Sequence, residues 1–316
     1  MSATSLLPTP ALDFALKRLG PLQATPVVLA GLPGPAQALL AARLSLAGAE
    51  LRSALSEGAS YILGAGDEDL TGQLGATSRV ASVVQTVPVL DLSESPLMRL
   101  AHDQIGIGQA SVMALLDITN LQLAGRRVVV CGYGPTGASV AAHVSALGGR
   151  VCVVETDPIL GLQAACAGYD VEGFARALPP AEVVLATDDG PELTFGQSAH
   201  LSTGTILCAA GARAAISPEI IASAHDRRPV RDHVEALDLP QAPEVKLIAQ
   251  GHPLHLAEGQ GLPAETADIV LALHVLGLAQ LLSVPDATPG RLRLERLAEA
   301  GLAAHLVALR GGELEV

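Results

Sequence analysis

The middle of the chain alternates short apolar runs with segments of helical spacing. Such runs, when polar residues do not interrupt them, are typical of strands buried on both faces of a parallel sheet. The predicted strands are Val128–Cys131, Val151–Glu155, Val183–Ala186, Thr205–Ala209 and Val245–Ile248, and the predicted helices are Gly137–Leu147 and Ile159–Ala167. This order predicts an α/β domain built on a parallel sheet.

The flanking segments predict a smaller α/β region and C-terminal helices. On the N-terminal side the pattern predicts strands at Val27–Leu29, Ser60–Leu63 and Val87–Leu90, helices at Pro35–Leu46 and Gln109–Leu121, a loop or short helix over Gly64–Ser78 and a polar connection over Ser93–His102. On the C-terminal side it predicts a long apolar helix, Ala264–Leu282, and a helical tail, Gly290–Ala308. A helix that is apolar on most faces is expected to be buried between lobes or subunits.

A glycine motif joins the first central strand to the helix that follows it. Its residues are Gly132-Tyr133-Gly134-Pro135-Thr136-Gly137, with the spacing GxGxxG. The first glycine permits a tight turn, the second lets a diphosphate approach the backbone, and the third lets the helix pack close to the strand. The diphosphate then lies at the positive end of the helix. In this strand-to-helix context the motif predicts a Rossmann-type dinucleotide site.

An acidic residue, Glu155, ends the next strand about 20 residues on, where such domains bind the ribose hydroxyls. Its carboxylate would repel the 2′-phosphate of NADP, and no Arg or Lys follows within Thr156–Leu160. The sequence therefore predicts NAD as the cofactor. We place Thr156 and Asp157 in the same site, together with Asp188 and Gly211 after the following strands.

The composition argues against nucleic acid as a partner. The chain has 32 acidic and 19 basic residues, a net charge of −13, and an acidic surface repels phosphate backbones. With 3 Phe, 3 Tyr and no Trp, few rings are present to stack on bases. The length of 316 residues, 49% of them hydrophobic, predicts two lobes with ample core.

Cysteine usage and the apolar stretches lead us to expect a cytoplasmic protein without membrane contact. Cys131, Cys152, Cys166 and Cys208 form no CxxC pair, and most lie in or beside apolar runs that favour reduced, buried thiols. The first ten residues lack the basic cluster and apolar stretch of a secretory leader. We also expect the longest apolar stretch, Ile269–Leu282, to be too short to span a bilayer.

Further runs flank the glycine motif on both sides. They are Gly106-Ile107-Gly108-Gln109, Leu123-Ala124-Gly125-Arg126, Glu155-Thr156-Asp157-Pro158, Gly168-Tyr169-Asp170-Val171 and Gly261-Leu262-Pro263-Ala264-Glu265. Together they resemble the S-adenosylhomocysteine hydrolase family from about Leu100 to Leu282. Chains of the dipicolinate synthase and 2-hydroxyacid dehydrogenase types are more distant alternatives. The resemblance implies a reduced α/β substrate-side domain at 1–102, an NAD-binding Rossmann domain at 103–262, and C-terminal helices at 263–316 that return to the substrate-side domain.

Residues that this family uses for chemistry are replaced in the chain. Family members oxidise a ribose 3′-hydroxyl with bound NAD, eliminate the 5′ thiol and add water, which requires a Lys/Asp base system and His residues. Met98 stands at the position of the catalytic Lys, and Ala212 at the position of a His. Since loss of a general base costs on the order of 10²–10⁴ in rate, we do not expect ordinary S-adenosylhomocysteine hydrolysis.

Three residues are candidates for replacement chemistry. His102 and Asp103 stand where the family has an Asp-Asn pair, and His suits proton transfer near neutral pH; a polar hinge between lobes is the alternative. His255 stands where the family has a residue near the nicotinamide, in a loop that also contains His252 and Glu258. A metal bound by these three would lack a fourth ligand, so we assign no metal.

A polar loop, Asp188-Asp189-Gly190, follows one central strand and is expected either near the cofactor or as a turn.

The leading hypothesis is a diverged NAD(H)-dependent enzyme that oxidises, epimerises or eliminates on a nucleoside or other small hydroxylated substrate. The second is an NAD-binding regulatory or partner subunit that has lost its chemistry. The third is a dehydrogenase of an unrelated substrate class that shares only the cofactor domain. The resemblance also implies a homo-oligomer.

Overall fold

The structure, a computed structural model, describes residues 8–30, 34–65, 70–71, 73–78, 86–213, 215–257, 261–284 and 288–314. It divides into two compact units. Unit 1 contains the residues up to His102 and those from Ala264 onward, and unit 2 contains Asp103–Pro263. Each unit is built on its own sheet.

The strands of the described residues are distributed over both units. In chain order they are β1 (Pro26–Leu29), β2 (Glu50–Arg52), β3 (Tyr61–Ala65), β4 (Gly75–Ser78), β5 (Pro88–Asp91), β6 (Arg127–Cys131), β7 (Arg150–Val154), β8 (Asp170–Val171), β9 (Val183–Ala186), β10 (Ile206–Ala209), β11 (Asp226–Arg231), β12 (Val234–Leu239), β13 (Ala242–Ile248) and β14 (Gly290–Arg293).

The helices connect these strands and cover the sheets. In chain order they are α1 (Pro10–Leu19), α2 (Gly34–Leu46), α3 (Pro96–Met98), α4 (Gly108–Thr119), α5 (Pro135–Ala146), α6 (Pro158–Cys166), α7 (Phe174–Ala177), α8 (Phe195–Ser198), α9 (Pro218–Ala222), α10 (Leu254–Ala257), α11 (Ala264–Ser283) and α12 (Arg296–Leu309). A π-helical segment, Arg99–Ile107, joins α3 to α4.

Unit 1 has a six-stranded sheet in the order β14-β5-β4-β3-β1-β2. All neighbouring strands are parallel, as between Val27 and Tyr61 of β1 and β3. The first five strands have the order 2-1-3-4-5 of a doubly wound α/β fold, and β14 extends the sheet beside β5.

Helix α11 is the core helix of unit 1, where it packs against α1 and the sheet. Its buried Asp268 caps α1 from outside that helix, because the carboxylate accepts hydrogen bonds from the backbone N–H of Ala11 (2.8 Å) and Leu12 (2.9 Å). Burial raises the pKa of Asp268 against the lowering effect of these bonds. Two N–H groups at the end of α1 are thereby satisfied by a residue more than 250 positions away.

The length of α11 corrects the expectation that this apolar stretch is too short to span a bilayer. Its 20 residues are enough, by length and composition alone, to cross a membrane. However, 67% of its most apolar stretch is buried inside the protein, which accounts for its composition without a bilayer. The elements that pack against α11, among them α1, β3 and β4, belong to unit 1. The predicted burial of this helix between lobes or subunits stays a prediction.

Unit 2 has an eight-stranded sheet in the order β11-β12-β13-β10-β9-β6-β7-β8. The strands from β13 to β8 are parallel, with Cys131 of β6 opposite Val154 on one side and Ala186 on the other. Strands β11, β12 and β13 form an antiparallel extension. The two α/β sheets confirm the predicted fold class.

The central strands of unit 2 are buried on both faces, as continuous apolar runs predict. In β6, Val128 and Val130 pack with apolar residues of α4 and α5, whereas Val129 and Cys131 face a second cluster that contains Leu178 and Ile220. Because side chains alternate along a strand, one run of five residues supplies both cores.

Several predicted elements differ from the structure. Strand β4 lies within the segment expected to be a loop or short helix, and α3 with the π-helical segment replaces the predicted polar connection. The beginning of the predicted C-terminal helix is strand β14, and α1, β11 and β12 were not predicted. These strands are short, polar or at sheet edges, so pairing with neighbours rather than periodicity determines them.

Candidate functional site

The candidate site lies at the carboxyl edge of the parallel strands in unit 2. In this sheet β6 lies between β7, its successor along the chain, and β9, which follows later. The chain thus reverses direction across the sheet at β6, and ligands of open α/β sheets bind beyond the carboxyl ends of strands at such a switch point. The loops after β6, β7, β9 and β10 contain the predicted cofactor residues.

The glycine turn after β6 has the close backbone contacts that its motif predicts. Gly132 has φ +104°, a conformation that favours glycine. A Cβ on Gly132 would lie 2.4 Å from Thr187 Oγ1, and a Cβ on Gly137 would lie 2.1 Å from the Gly132 carbonyl oxygen. Helix α5 therefore begins directly against the turn, with Pro135 at its first position.

A fourth glycine, Gly190 in the loop after β9, supports this turn from the other side. A Cβ on Gly190 would lie 2.0 Å from Gly132 Cα and 2.6 Å from Gly132 N. The two backbone segments are in direct contact, which only glycine permits. The sequence placed Gly190 in a polar loop near the cofactor or in a turn, and tertiary packing gives it this supporting position.

Glu155 is positioned by backbone N–H groups on both sides of it. Its Oε2 accepts a hydrogen bond from Tyr133 N at 2.8 Å, and its Oε1 accepts from Thr156 N at 2.7 Å and Asp157 N at 3.0 Å. The carboxylate is partly exposed, and each oxygen of a carboxylate has about two acceptor sites. Three of its about four acceptor sites are therefore used, and one site on Oε2 remains for a hydroxyl donor of a ligand while the carboxylate stays fixed to the glycine turn.

Thr156 and Asp157 lie beside Glu155, as their place in the sequence requires. Both are exposed. The Asp157 side chain caps α6, where Oδ1 accepts from Ile159 N at 2.7 Å and from Leu160 N at 3.3 Å. Asp157 thus stabilises the helix that follows Glu155.

The N-terminus of α5 is capped by Asp189, whereas the sequence analysis assigned its neighbour Asp188 to the cofactor site. Asp189 Oδ2 accepts hydrogen bonds from Thr136 N at 2.7 Å and from Gly137 N at 3.2 Å. Burial raises the pKa of Asp189, the nearby Asp188 charge raises it further, and the hydrogen bonds to its carboxylate oppose these effects. A carboxylate is therefore bound at the end of α5 where a diphosphate is expected.

Asp188 contacts the loop after β10. Its Oδ1 accepts a hydrogen bond from Ala212 N at 2.8 Å, and its Oδ2 lies 3.4 Å from Arg213 Nε. A Cβ on Gly211 would lie 2.0 Å from Asp188 Oδ1, so the predicted pair Asp188 and Gly211 is in direct contact. This contact joins the ends of β9 and β10.

The predicted catalytic residues lie in two elements, the π-helical segment and α10. His102 and Asp103 both belong to the π-helical segment. His102 is 3% exposed and is the last residue of unit 1 before unit 2 begins. Asp103 is half-buried and is the first residue of unit 2. His255 is 7% exposed on α10, which packs against α4 within unit 2. Their catalytic roles stay predictions.

The described part of the chain gives no support for a metal site at His252, His255 and Glu258. His252 is exposed whereas His255 is buried, and Glu258 lies outside the described residues. Within the described ranges no group of three or more His, Cys, Asp and Glu side chains is arranged to hold a metal ion. A cavity of about 550 Å³ in unit 1, lined by Leu97, Leu100 and Glu299 among others, contains none of the predicted cofactor residues.

The backbone of the site fits the diphosphate of a dinucleotide. The three glycine positions of the turn leave no room for a Cβ. The N–H groups of Thr136 and Gly137 point out of the end of α5, where they donate to the Asp189 carboxylate and where a ligand anion would bind. The Asp189 side chain accepts hydrogen bonds from both N–H groups. A diphosphate can therefore accept from them only when this side chain changes its rotamer. Glu155 fits the ribose without a comparable change.

Comparison with known proteins agrees with this geometry. Residues 105–261 match the NAD-binding domain of S-adenosyl-L-homocysteine hydrolase. The chain is 30% identical over 233 residues to the adenosylhomocysteinase of Thermoplasma acidophilum, covering 72% of this chain and 56% of that protein. It is 29% identical over 238 residues to the S-inosyl-L-homocysteine hydrolase of Methanothermobacter thermautotrophicus, covering 73% and 57%. The chain spans about half the length of the curated relatives it matches.

Solved structures show the same fold at low sequence identity. A dipicolinate synthase chain from Bacillus halodurans aligns with a TM-score of 0.51 and 15% identity, over 82% of this chain and 99% of that one. The transhydrogenase from Sinorhizobium meliloti aligns with a TM-score of 0.52 and 16% identity, over 89% of each chain. At such identities the likeness concerns the fold alone.

Proposed function

We propose that the chain binds NAD at the carboxyl edge of unit 2. The match of residues 105–261 to the NAD-binding domain of S-adenosyl-L-homocysteine hydrolase, and the distant relationship of the chain to adenosylhomocysteinases, support this proposal. The observation that carries the proposal is the glycine turn with Glu155 fixed to it through Tyr133 N. The turn and the end of α5 hold the diphosphate, and Glu155 accepts a hydrogen bond from the adenosine ribose.

The same carboxylate makes the site selective for NAD over NADP. A 2′-phosphate would meet Glu155, whose position is fixed by three backbone N–H groups. No Arg or Lys occurs in Thr156–Leu160 to compensate the phosphate charge. Since like charges in contact cost several kcal/mol, NADP is expected to bind at least about tenfold more weakly than NAD, as measured by calorimetry. Equal affinities would contradict this assignment of Glu155.

We further propose an enzyme that uses this cofactor on a nucleoside or another small hydroxylated substrate. The relatives are named for S-adenosyl- and S-inosyl-homocysteine, thioethers of nucleosides, which supports this substrate class. NAD supplies oxidation of a hydroxyl carbon when it is bound. His102, Asp103 and His255 are the residues proposed for proton transfer, in an oxidation, elimination or epimerisation rather than ordinary hydrolysis.

Cofactor reduction tests the enzyme proposal. The full chain is incubated with NAD and a panel of nucleosides and their 5′-thioethers, and NADH is followed by its absorbance. We expect reduction with at least one compound, and a lower rate in His255→Asn, with NAD affinity retained. A chain that binds NAD but neither reduces it nor converts any compound, as judged by chromatography of the mixture, would contradict it.

A second candidate function is an NAD-binding regulatory or partner subunit without catalysis. Met98, at the position of the family's catalytic Lys, is 1% exposed and supplies no proton donor or acceptor. This function predicts that NAD changes the association of the chain with another protein and that His102→Asn and His255→Asn leave that association unchanged. Loss of the association in either variant would contradict it.

We also propose that the chain is cytoplasmic, because its cysteine pattern favours reduced thiols, and that it is a homo-oligomer, as the family resemblance implies. Light scattering after size-exclusion chromatography measures the mass in solution, and a mass of a single 32.1 kDa chain at all concentrations would contradict the oligomer.

A further inference from the structure

We propose that Asp189 is an internal anion that occupies the diphosphate position at the end of α5 and thereby controls how tightly unit 2 binds a dinucleotide. This inference rests on the proposed binding of NAD. It concerns the same N–H groups, for which the Asp189 side chain competes with the diphosphate of the ligand.

The geometry of Asp189 matches that of a bound anion. One oxygen, Oδ2, accepts hydrogen bonds from the backbone N–H groups of both Thr136 and Gly137. These donors of the first helical turn have no acceptor within the helix. Pro135 has no N–H, so these are the donors nearest to the end of α5. A ligand phosphate that approaches the turn meets a carboxylate at the position where its own oxygens would be stabilised.

The backbone prevents Asp189 from moving far from this position. Gly190, the next residue, is in contact with the backbone of Gly132, and a Cβ on Gly134 would lie 2.8 Å from Asp189 Cβ. A change of rotamer can release the two N–H groups, but the carboxyl group remains beside the turn. A bound diphosphate therefore has Asp189 as a close neighbour.

The hydroxyl of Thr187 indicates that Asp189 can be protonated when a diphosphate binds beside it. Thr187 Oγ1 lies 2.7 Å from the Cys131 carbonyl oxygen and 2.6 Å from Asp189 Oδ1, but a hydroxyl has only one proton to donate. A proton on Asp189 satisfies both contacts, since Asp189 then donates to Thr187 while Thr187 donates to Cys131. The protonated form also has no charge to repel a diphosphate.

Dinucleotide binding is therefore expected to be coupled to proton uptake. Burial already raises the pKa of Asp189 in the free protein, and a neighbouring diphosphate raises it further because it disfavours the charged form. The other charged groups at the turn are Asp188, paired with Arg213, and Glu155, held by Tyr133 N. With a higher pKa in the complex than in the free protein, affinity falls as pH rises through the range between the two.

Calorimetric titration of NAD into the full chain, Asp189→Asn and Asp268→Asn tests the inference. Asp268 is a matched control, because it is also a buried carboxylate that caps a helix through two backbone N–H groups, in unit 1. We expect Asp189→Asn to bind NAD roughly tenfold or more tightly than the wild type, since a like charge is removed, and Asp268→Asn to bind as the wild type does. Adenosine, which has no diphosphate, should bind wild type and Asp189→Asn equally.

The same titrations from mildly acidic to mildly basic buffer give a second readout. The affinity of the wild type for NAD should fall with rising pH, and that of Asp189→Asn should fall much less. Equal NAD affinities with equal pH dependence in these two proteins, or weaker binding by Asp189→Asn, would overturn the inference while leaving NAD binding intact. An absence of binding in all three proteins would instead contradict the proposed function, and this inference with it.

Discussion

Replacement of Gly190 by Ala tests the contact between the two loops that form the site. The new Cβ would lie 2.0 Å from Gly132 Cα and 2.6 Å from Gly132 N, both of which are backbone atoms that cannot rotate away. Carbon atoms pack at about 3.5–4.0 Å, so the loops must separate by about 1.5 Å or more. Overpacking of this kind costs about 1–3 kcal/mol.

Two measurements follow from this displacement. Since 1 kcal/mol shifts the unfolding midpoint of a domain of this size by roughly 2–4 °C, Gly190→Ala should unfold about 2–12 °C below the wild type. NAD affinity should fall as well, because the separation of the loops displaces the glycine turn and the end of α5, which bind the diphosphate. Differential scanning calorimetry and isothermal titration measure the two effects.

Gly161 provides the control for this substitution. It lies inside α6 with Val171 Cγ1 at 3.9 Å from a built Cβ, an ordinary contact. Ala is favoured over Gly in a helix by about 1 kcal/mol, so Gly161→Ala should unfold at the same or a higher temperature than the wild type. If Gly190→Ala were as stable as Gly161→Ala and bound NAD as tightly as the wild type, the described contact of the loops would be wrong.

Three other predictions concern single side chains. Asp268→Ala should lower the free energy of unfolding by about 1–3 kcal/mol in urea titrations, because two N–H groups of α1 lose their acceptor; an unchanged midpoint would refute this capping role. Because burial raises the pKa of Asp189, the folded state holds its proton more tightly than the unfolded state, so the stability of wild type relative to Asp189→Asn should increase as pH falls through that raised pKa; a difference independent of pH would contradict it. Under native conditions a thiol reagent should modify the exposed Cys166 well before the three buried cysteines, and equal reaction rates of all 4 thiols, counted by mass spectrometry, would contradict their burial.

The elements around the glycine turn could be predicted because several local signals agree there. Strand β6 is a continuous apolar run, glycines mark the turn, and Gly148 closes the helix that follows. Burial on both faces of the sheet then explains why the apolar runs have no polar interruption. Bounds at this centre differ from those predicted by only a few residues.

The missed strands lack such signals. Strand β11 has the sequence Asp-Arg-Arg-Pro-Val-Arg, and all six of its residues are exposed. Strand β4 is buried at every position but consists of Gly, Ala, Thr and Ser, which have no apolar pattern. Strand β14 is at the edge of its sheet and alternates between exposed and half-buried residues over only four positions. For these strands the decisive information is the neighbouring strand.

The position of Asp189 depends on tertiary structure in the same way. The sequence shows two adjacent aspartates after β9, and it does not indicate which of them reaches α5. The contact of Gly190 with Gly132 fixes the loop so that Asp189 caps α5 whereas Asp188 turns to the loop after β10. The motif therefore located the site, but not the anion that the protein itself places there.

The most direct test of the proposed site is a crystal structure of the full chain with NAD at a saturating concentration. We expect the diphosphate on the N–H groups of Thr136 and Gly137, the Asp189 side chain rotated off them, and the adenosine ribose on Glu155. Asp189 still bonded to both N–H groups, with the dinucleotide elsewhere or absent, would contradict it.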